Sequence, residues 1–293
     1  MQYFQLALQI DPEHALAQVG IAQASIGRAA MGAEPPREVW PKAMMQALKA
    51  IELDHTHAEA HDLLAWGLVW YDYDWPAAEK EFRRAIELNP NYAHARSFYG
   101  LFLNSMRRWD ESKTQTERAL ELDPYNHFYQ FISGFQLNSQ GRYDEAIGQI
   151  RKSLRMEPAF LAAHWALWIA FHAKQMYQQA MPEAKITLSV FAPHVPEAAE
   201  AFERGYAEGG YPGALRRAAE TLAERSSLLY VSPWFIAELF ACAGEKEQAV
   251  EWLEKAYEDR RQELVYLRDY PAWEGLREEP RFQDLLARMN FPK

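Results

Sequence analysis

Residues 141–158, GRYDEAIGQIRKSLRMEP, read as a tight turn, one amphipathic helix and a stop. Ala146, Ile150 and Leu154 recur at helical spacing and make an apolar stripe, and the arginines and lysine between them face water. Pro158 ends the helix, because it has no amide to donate and its ring clashes with the preceding turn. The same punctuation returns at a period of 34 residues. Pro90, Pro124 and Pro158 hold it, as do Leu88, Leu122 and Met156, and Leu103, Leu137 and Phe171. Trp75, Trp109, Tyr143 and Tyr177 keep the spacing, and so do the pairs Ala146/Ala180 and Gly100/Gly134. Coincident series at one period define a repeat architecture, in which each unit hides its apolar face against the next.

Each repeat holds two helices. The first, as in residues 92–106, places Ala95, Tyr99, Gly100 and Leu103 at helical spacing. Gly100 and Gly134 lie inside such helices at a cost of about 1 kcal/mol against alanine, which makes sense where the second helix crosses closely. The strings YDYDWPAAEKEFRRAIELNPNYAHA, RRWDESKTQTERALELDPYN and GEKEQAVEWLEKAYE follow the pattern of residues 141–158. Together these resemble the tetratricopeptide repeat. The resemblance implies an all-α fold, a right-handed superhelix of helix–turn–helix repeats.

On that register, residues 1–12 are half a repeat. Whole repeats fall at about 15–56, 58–91, 93–126, 127–160, 161–194, 197–229 and 230–260. The repeat at 15–56 carries extra residues with Gly27, Gly32, Pro35 and Pro36 between its helices, and His55 replaces its closing proline. One residue is extra near Tyr71–Trp75, and GGYPG (209–213) marks a degenerate turn. Residues 261–293 do not repeat. Pro280 heads a last helix with Phe282, Leu285, Leu286 and Met289 on one side, expected to cap the array. Such tails are similar to those closing repeat arrays in large bacterial multidomain proteins. The half repeat at the start leaves an uncapped end, open to self-association.

The 31 basic and 41 acidic side chains give a net charge of −10, a field that repels nucleic acid. Cys242 is alone, so neither an intrachain disulfide nor a thiolate cluster is expected. The first residues have no basic leader and the greasy stretches are short, so no membrane is expected and a cytoplasmic place is the default. His55, His57 and His61 with Glu59 form the densest histidine cluster, but no third ligand follows at metalloprotease spacing. The expected role is structural, with His61 packed between helices. Asp72/Asp74 and Glu278/Glu279 read as solvated loop charges, and Cys242 as inert core. No GxSxG elbow or phosphate loop occurs, so no enzyme, metal or cofactor is expected.

The resemblance also implies which residues line the concave face, at places two, five, nine and twelve of each repeat. Those are Glu59, Asp62, Trp66 and Val69, then His94, Ser97, Leu101 and Asn104. The next two repeats supply Phe128, Phe131, Phe135 and Asn138, then Ala162, Trp165, Ile169 and His172. Chaperone-binding members clamp acidic tails with basic residues there; these places hold no lysine or arginine, so that function is not carried over. An aromatic floor is expected instead, with Asn104 and Asn138 one period apart to hold a peptide backbone and Glu59 and Asp62 adding negative charge at one end. The expected function is a protein-interaction scaffold binding an apolar or amphipathic peptide or protein. The rival reading is the regulatory or accessory C-terminal region of a larger enzyme, signalling protein or transcription factor.

Overall fold

The computed structural model describes residues 2–30 and 36–292, and every regular element in them is a helix. Gly32 and Pro35 of the expected insertion lie outside the described residues. The chain forms two compact units, the first from residues 1–124, 259–265 and 290–293, the second from 125–258 and 266–289.

In the first unit α1 (Gln2–Ile10) packs on α2 (Ala15–Ala30), which pairs with α3 (Pro36–Leu53). Then come α4 (Ala58–Gly67) with α5 (Trp75–Leu88), and α6 (Ala93–Ser105) with α7 (Trp109–Leu122). The extra residue near Tyr71 is taken up by a π-helical turn, Leu68–Asp72, that continues α4 and ends on Tyr73 at φ 58°. A π turn is how a helix absorbs an insertion without losing its pairing. Its carbonyls and rings seat a returning segment: Arg260 donates to the Tyr71 carbonyl at 3.2 Å and lies 5.3 Å from the Tyr73 ring centre. Trp75 Nε1 donates to the Asn290 carbonyl at 2.8 Å, and Phe291 stacks on the same indole.

The second unit pairs α8 (His127–Ser139) with α9 (Tyr143–Met156) and α10 (Leu161–Ala173) with α11 (Tyr177–Phe191). Gly134 has the close crossing its position implied, since a Cβ there would sit 2.5 Å from Ile150 Cγ1. α12 (Pro196–Arg225) is two helical arms broken at Gly209 and Gly210, where GGYPG lies. The arms are pressed together at Gly205 and Gly213, so that a Cβ on Gly205 would meet the Gly213 carbonyl oxygen at 2.2 Å. α13 (Pro233–Ala243) and α14 (Lys246–Glu258) form the next pair, followed by 3-10 turns at Gln262–Tyr266 and Pro271–Leu276. α15 (Pro280–Arg288) lays Phe282, Leu285 and Met289 inward against α14, and Arg281 clasps Glu254. No helix among the described residues is long and apolar enough to cross a membrane.

The turns inside the pairs repeat as faithfully as the helices. Arg107, Gly141 and Gln175 all have φ near +60 to +75°, each 34 residues from the next. In each case the following amide bonds back to the carbonyl of Leu103, Leu137 or Phe171 at 2.9 Å. This left-handed closure satisfies the last carbonyls of the first helix.

Candidate functional site

Among the first helices of the pairs in the first unit, α2 packs on α4, and α6 meets α4 through His94 and Phe98, so that the three carry a polar, aromatic surface. Glu59 sits in the first turn of α4, where the helix dipole favours an anion. It is half-buried and pairs with no described residue. One turn on, the Asp62 side chain is 0% exposed. His94 Nδ1 donates to Asp62 Oδ2 at 2.8 Å, whereas Oδ1 is shut from water with no hydrogen-bond partner. The His94 ring is stacked between Trp66, at 4.9 Å, and Tyr92, at 5.7 Å. Phe98 closes the cluster 4.0 Å from Trp66. Burial, then the charges of Asp62 and Glu59, push the Tyr92 phenol far above its ordinary range, and its hydroxyl hydrogen-bonds with Gln23 of α2 and with Asp62. Trp66 Nε1 and Ser97 Oγ are also buried without partners. Glu59, Trp66 and His94 stay partly open; Val69, Ser97, Leu101 and Asn104 are buried.

The second unit corrects the expected aromatic floor. Phe131, Phe135, Asn138, Trp165 and Ile169 are all buried, and Phe128 and His172 largely so. The tail supplies the cover. Tyr270 stacks on Phe135 at 5.5 Å and lies 5.2 Å from Trp165, and Tyr266 meets Phe135 edge-on at 4.7 Å. Trp165 Nε1 donates to both oxygens of the buried Glu238, at 3.0 and 2.8 Å. Asn138 Nδ2 donates to the Ala166 carbonyl at 2.9 Å, tying α8 to α10. His172 Nδ1 lies 3.1 Å from the Tyr211 hydroxyl, and burial pushes the imidazole down to about 4. Phe135 and Trp165 are interior because the chain lays its own Tyr266 and Tyr270 where a partner was expected. Cys242 is buried, and burial together with Glu238 raises its thiol well above the usual range.

His61 is spent on structure. Its Nδ1 lies 2.6 Å from Glu81 and its Nε2 3.2 Å from the His55 carbonyl. His164 repeats the arrangement with Glu183 and the Pro158 carbonyl. Two of the expected loop charges also have partners, Asp74 capping α5 through the Ala77 amide and Glu279 meeting Lys246. A pocket of about 410 Å³ opens between α5 and α7 over Tyr99 and Leu103. Its rim charges are largely satisfied by one another. Burial works to raise the Glu79 carboxyl beside it, but bonds from Arg108, Arg83 and Tyr99 outweigh that and hold it low.

No protein-family model and no curated protein matches the chain. Solved structures do. Human IFIT1, as a dimer with m7Gppp-AAAA, is similar at 15% identity over 87% of this chain and 66% of that one, with a TM-score of 0.56. PilF of Pseudomonas aeruginosa is similar at 16% identity over 81% and 97%, with a TM-score of 0.51. YrrB, described as a TPR protein with an unusual peptide-binding site, is 19% identical over 64% and 91%, with a TM-score of 0.39. At these identities the likeness concerns fold alone. With the helix pairs described above, the likeness to IFIT1 and PilF makes the chain an all-α tetratricopeptide solenoid closed by a C-terminal helix.

Sequence reasoning missed Tyr92 and Gln23, which lie outside the concave-face places in the repeats carried over. It also missed Glu238 and Tyr270. The one signal for Glu238 was an acidic residue inside an otherwise apolar helix, PWFIAELFACA.

Proposed function

We propose that this chain is a protein-binding scaffold, not a catalyst, and that it receives an extended segment of a partner on the α2–α4–α6 face of its first unit. The observation that supports this is a half-open ring stack, Trp66–His94–Tyr92, set over carboxylates that the fold leaves incompletely paired. Aromatic rings that are already ordered give large contact area at small entropic cost, and they dominate interface energies. A mostly apolar or amphipathic segment fits the rings. Phosphate does not fit, since Glu59, Asp62 and the net charge of −10 would repel it. The same face would serve if the chain works as the regulatory part of a larger protein.

The test is capture with cross-linking. The full chain should retain a partner whose cross-links fall within residues 59–98, and Trp66→Ala, with its helical circular dichroism unchanged, should lose it. Cross-links confined to the second unit or to the outer helices would refute the assignment.

A second reading has its own observation. α1 buries no residue and bears no charge, and it exposes Tyr3 at 87% and Ile10 at 80% with Leu6 beside them. Two molecules of net charge −10 could meet through such an uncharged face. Sedimentation should then show an association that Leu6→Glu with Ile10→Glu abolishes; a concentration-independent monomer would remove this reading.

A further inference from the structure

We infer that the α2–α4–α6 face selects an arginine side chain in the segment it binds, with Glu59 as the direct partner and Asp62 as the buried charge beneath. The inference rests on the binding reading above and specifies its chemistry.

Among the described residues the site is rich in acceptors and poor in cations. Glu59 pairs with no described residue, and Asp62, held by His94 at Oδ2 and hydrogen-bonded to Tyr92, keeps Oδ1 without a partner. Neither carboxylate meets a lysine or arginine among the described residues. Even with His94 charged, two carboxylates face one cation. Asp62 is fully buried, so its field is weakly screened and reaches a charge resting on the rings above it. A cation is therefore the missing ligand group, and an acidic side chain is excluded.

The walls choose among cations. Trp66 and His94 stack within 23° of parallel, Tyr92 continues the column within 22° of His94, and Phe98 flanks it. A guanidinium is planar and weakly hydrated; it stacks on aromatic faces and presents a fork of donors to a carboxylate. A lysine ammonium is a compact, strongly hydrated point charge, which loses more water for the same contact. Arginine therefore gains both the stacking on Trp66 and the paired hydrogen bond to Glu59.

Fluorescence anisotropy of the full chain with labelled nonapeptides decides the matter. Each peptide alternates alanine and leucine around one central residue: arginine, lysine, citrulline or glutamate. Citrulline keeps the shape of arginine and removes its charge. Arginine should bind about tenfold tighter than citrulline, one charge-assisted contact's worth, with lysine between them. Glu59→Gln breaks no bond to a described residue, so it should remain folded and erase most of that preference. Equal binding of the arginine and citrulline peptides would overturn the arginine assignment and leave the binding face standing. No binding by any of the four at millimolar concentration would overturn both.

Discussion

His172 shows how one side chain records its surroundings. Burial holds its imidazole near 4, against about 6.5 in an unfolded chain, so the folded state prefers the neutral ring. The stability that follows is fully present above pH 6.5 and is lost as pH falls toward 4, up to about 3 kcal/mol for a shift of this size. Urea unfolding between pH 7.5 and 4.5 should therefore show a decline that His172→Gln flattens; parallel profiles for the two proteins would contradict it. His61 has a different role. With Glu81 against one nitrogen and the His55 carbonyl against the other, neither ring nitrogen is open to a metal. Thermal unfolding should be the same in EDTA and in added zinc, and a zinc-dependent rise of several degrees would reverse this assignment.

At the scale of elements, the sequence was most legible where local physics decides. The 34-residue period places the helix pairs because proline, left-handed closures and apolar stripes act within a few residues of themselves. The π turn at Leu68–Asp72 was visible as a single surplus residue, although its form was not. Glycines split into two kinds that the sequence could not separate. Gly205 lets two helical arms touch through backbone, so Gly205→Ala should cost about 3 kcal/mol by overpacking. Gly148 lies exposed in α9 with open space around it, and Gly148→Ala should stabilise by about 0.5–1 kcal/mol. Chemical denaturation of the two variants gives opposite signs if this is right. α1 is the weakest element, nine residues with none buried, shorter than an isolated helix needs. In dilute protein its amides should exchange fastest of all the helices, and protection equal to that of α6 would show that something covers it.

Over the whole molecule, what the sequence concealed was the path of the tail. Aromatic residues such as Phe135 and Trp165 look alike in sequence whether a partner or the chain itself covers them. The contact that decides between these joins Phe135 to Tyr270, 135 positions apart, and no local rule reaches so far. A hint existed in residues 263–276, ELVYLRDYPAWEGL, which are too apolar to lie in water and keep no repeat. The tail's division between units has a consequence for stability. Residues 259–265 and 290–293 belong to the first unit, although residues 125–258 of the second precede both and 266–289 precede the latter. The first unit is thus incomplete until the last residues of the chain arrive. Deleting residues 290–293 removes the carbonyl that accepts from Trp75 Nε1 and the Phe291 ring stacked on that indole. The buried indole N–H then loses its partner, at a cost of about 1–3 kcal/mol, and the ring loses its cover. Hydrogen exchange should therefore quicken in residues 68–88, more than two hundred positions from the cut, and change less in residues 127–156. Uniform loss of protection along the chain would mean that the tail acts on both units alike, and unchanged protection at 68–88 would mean that Trp75 does not depend on it.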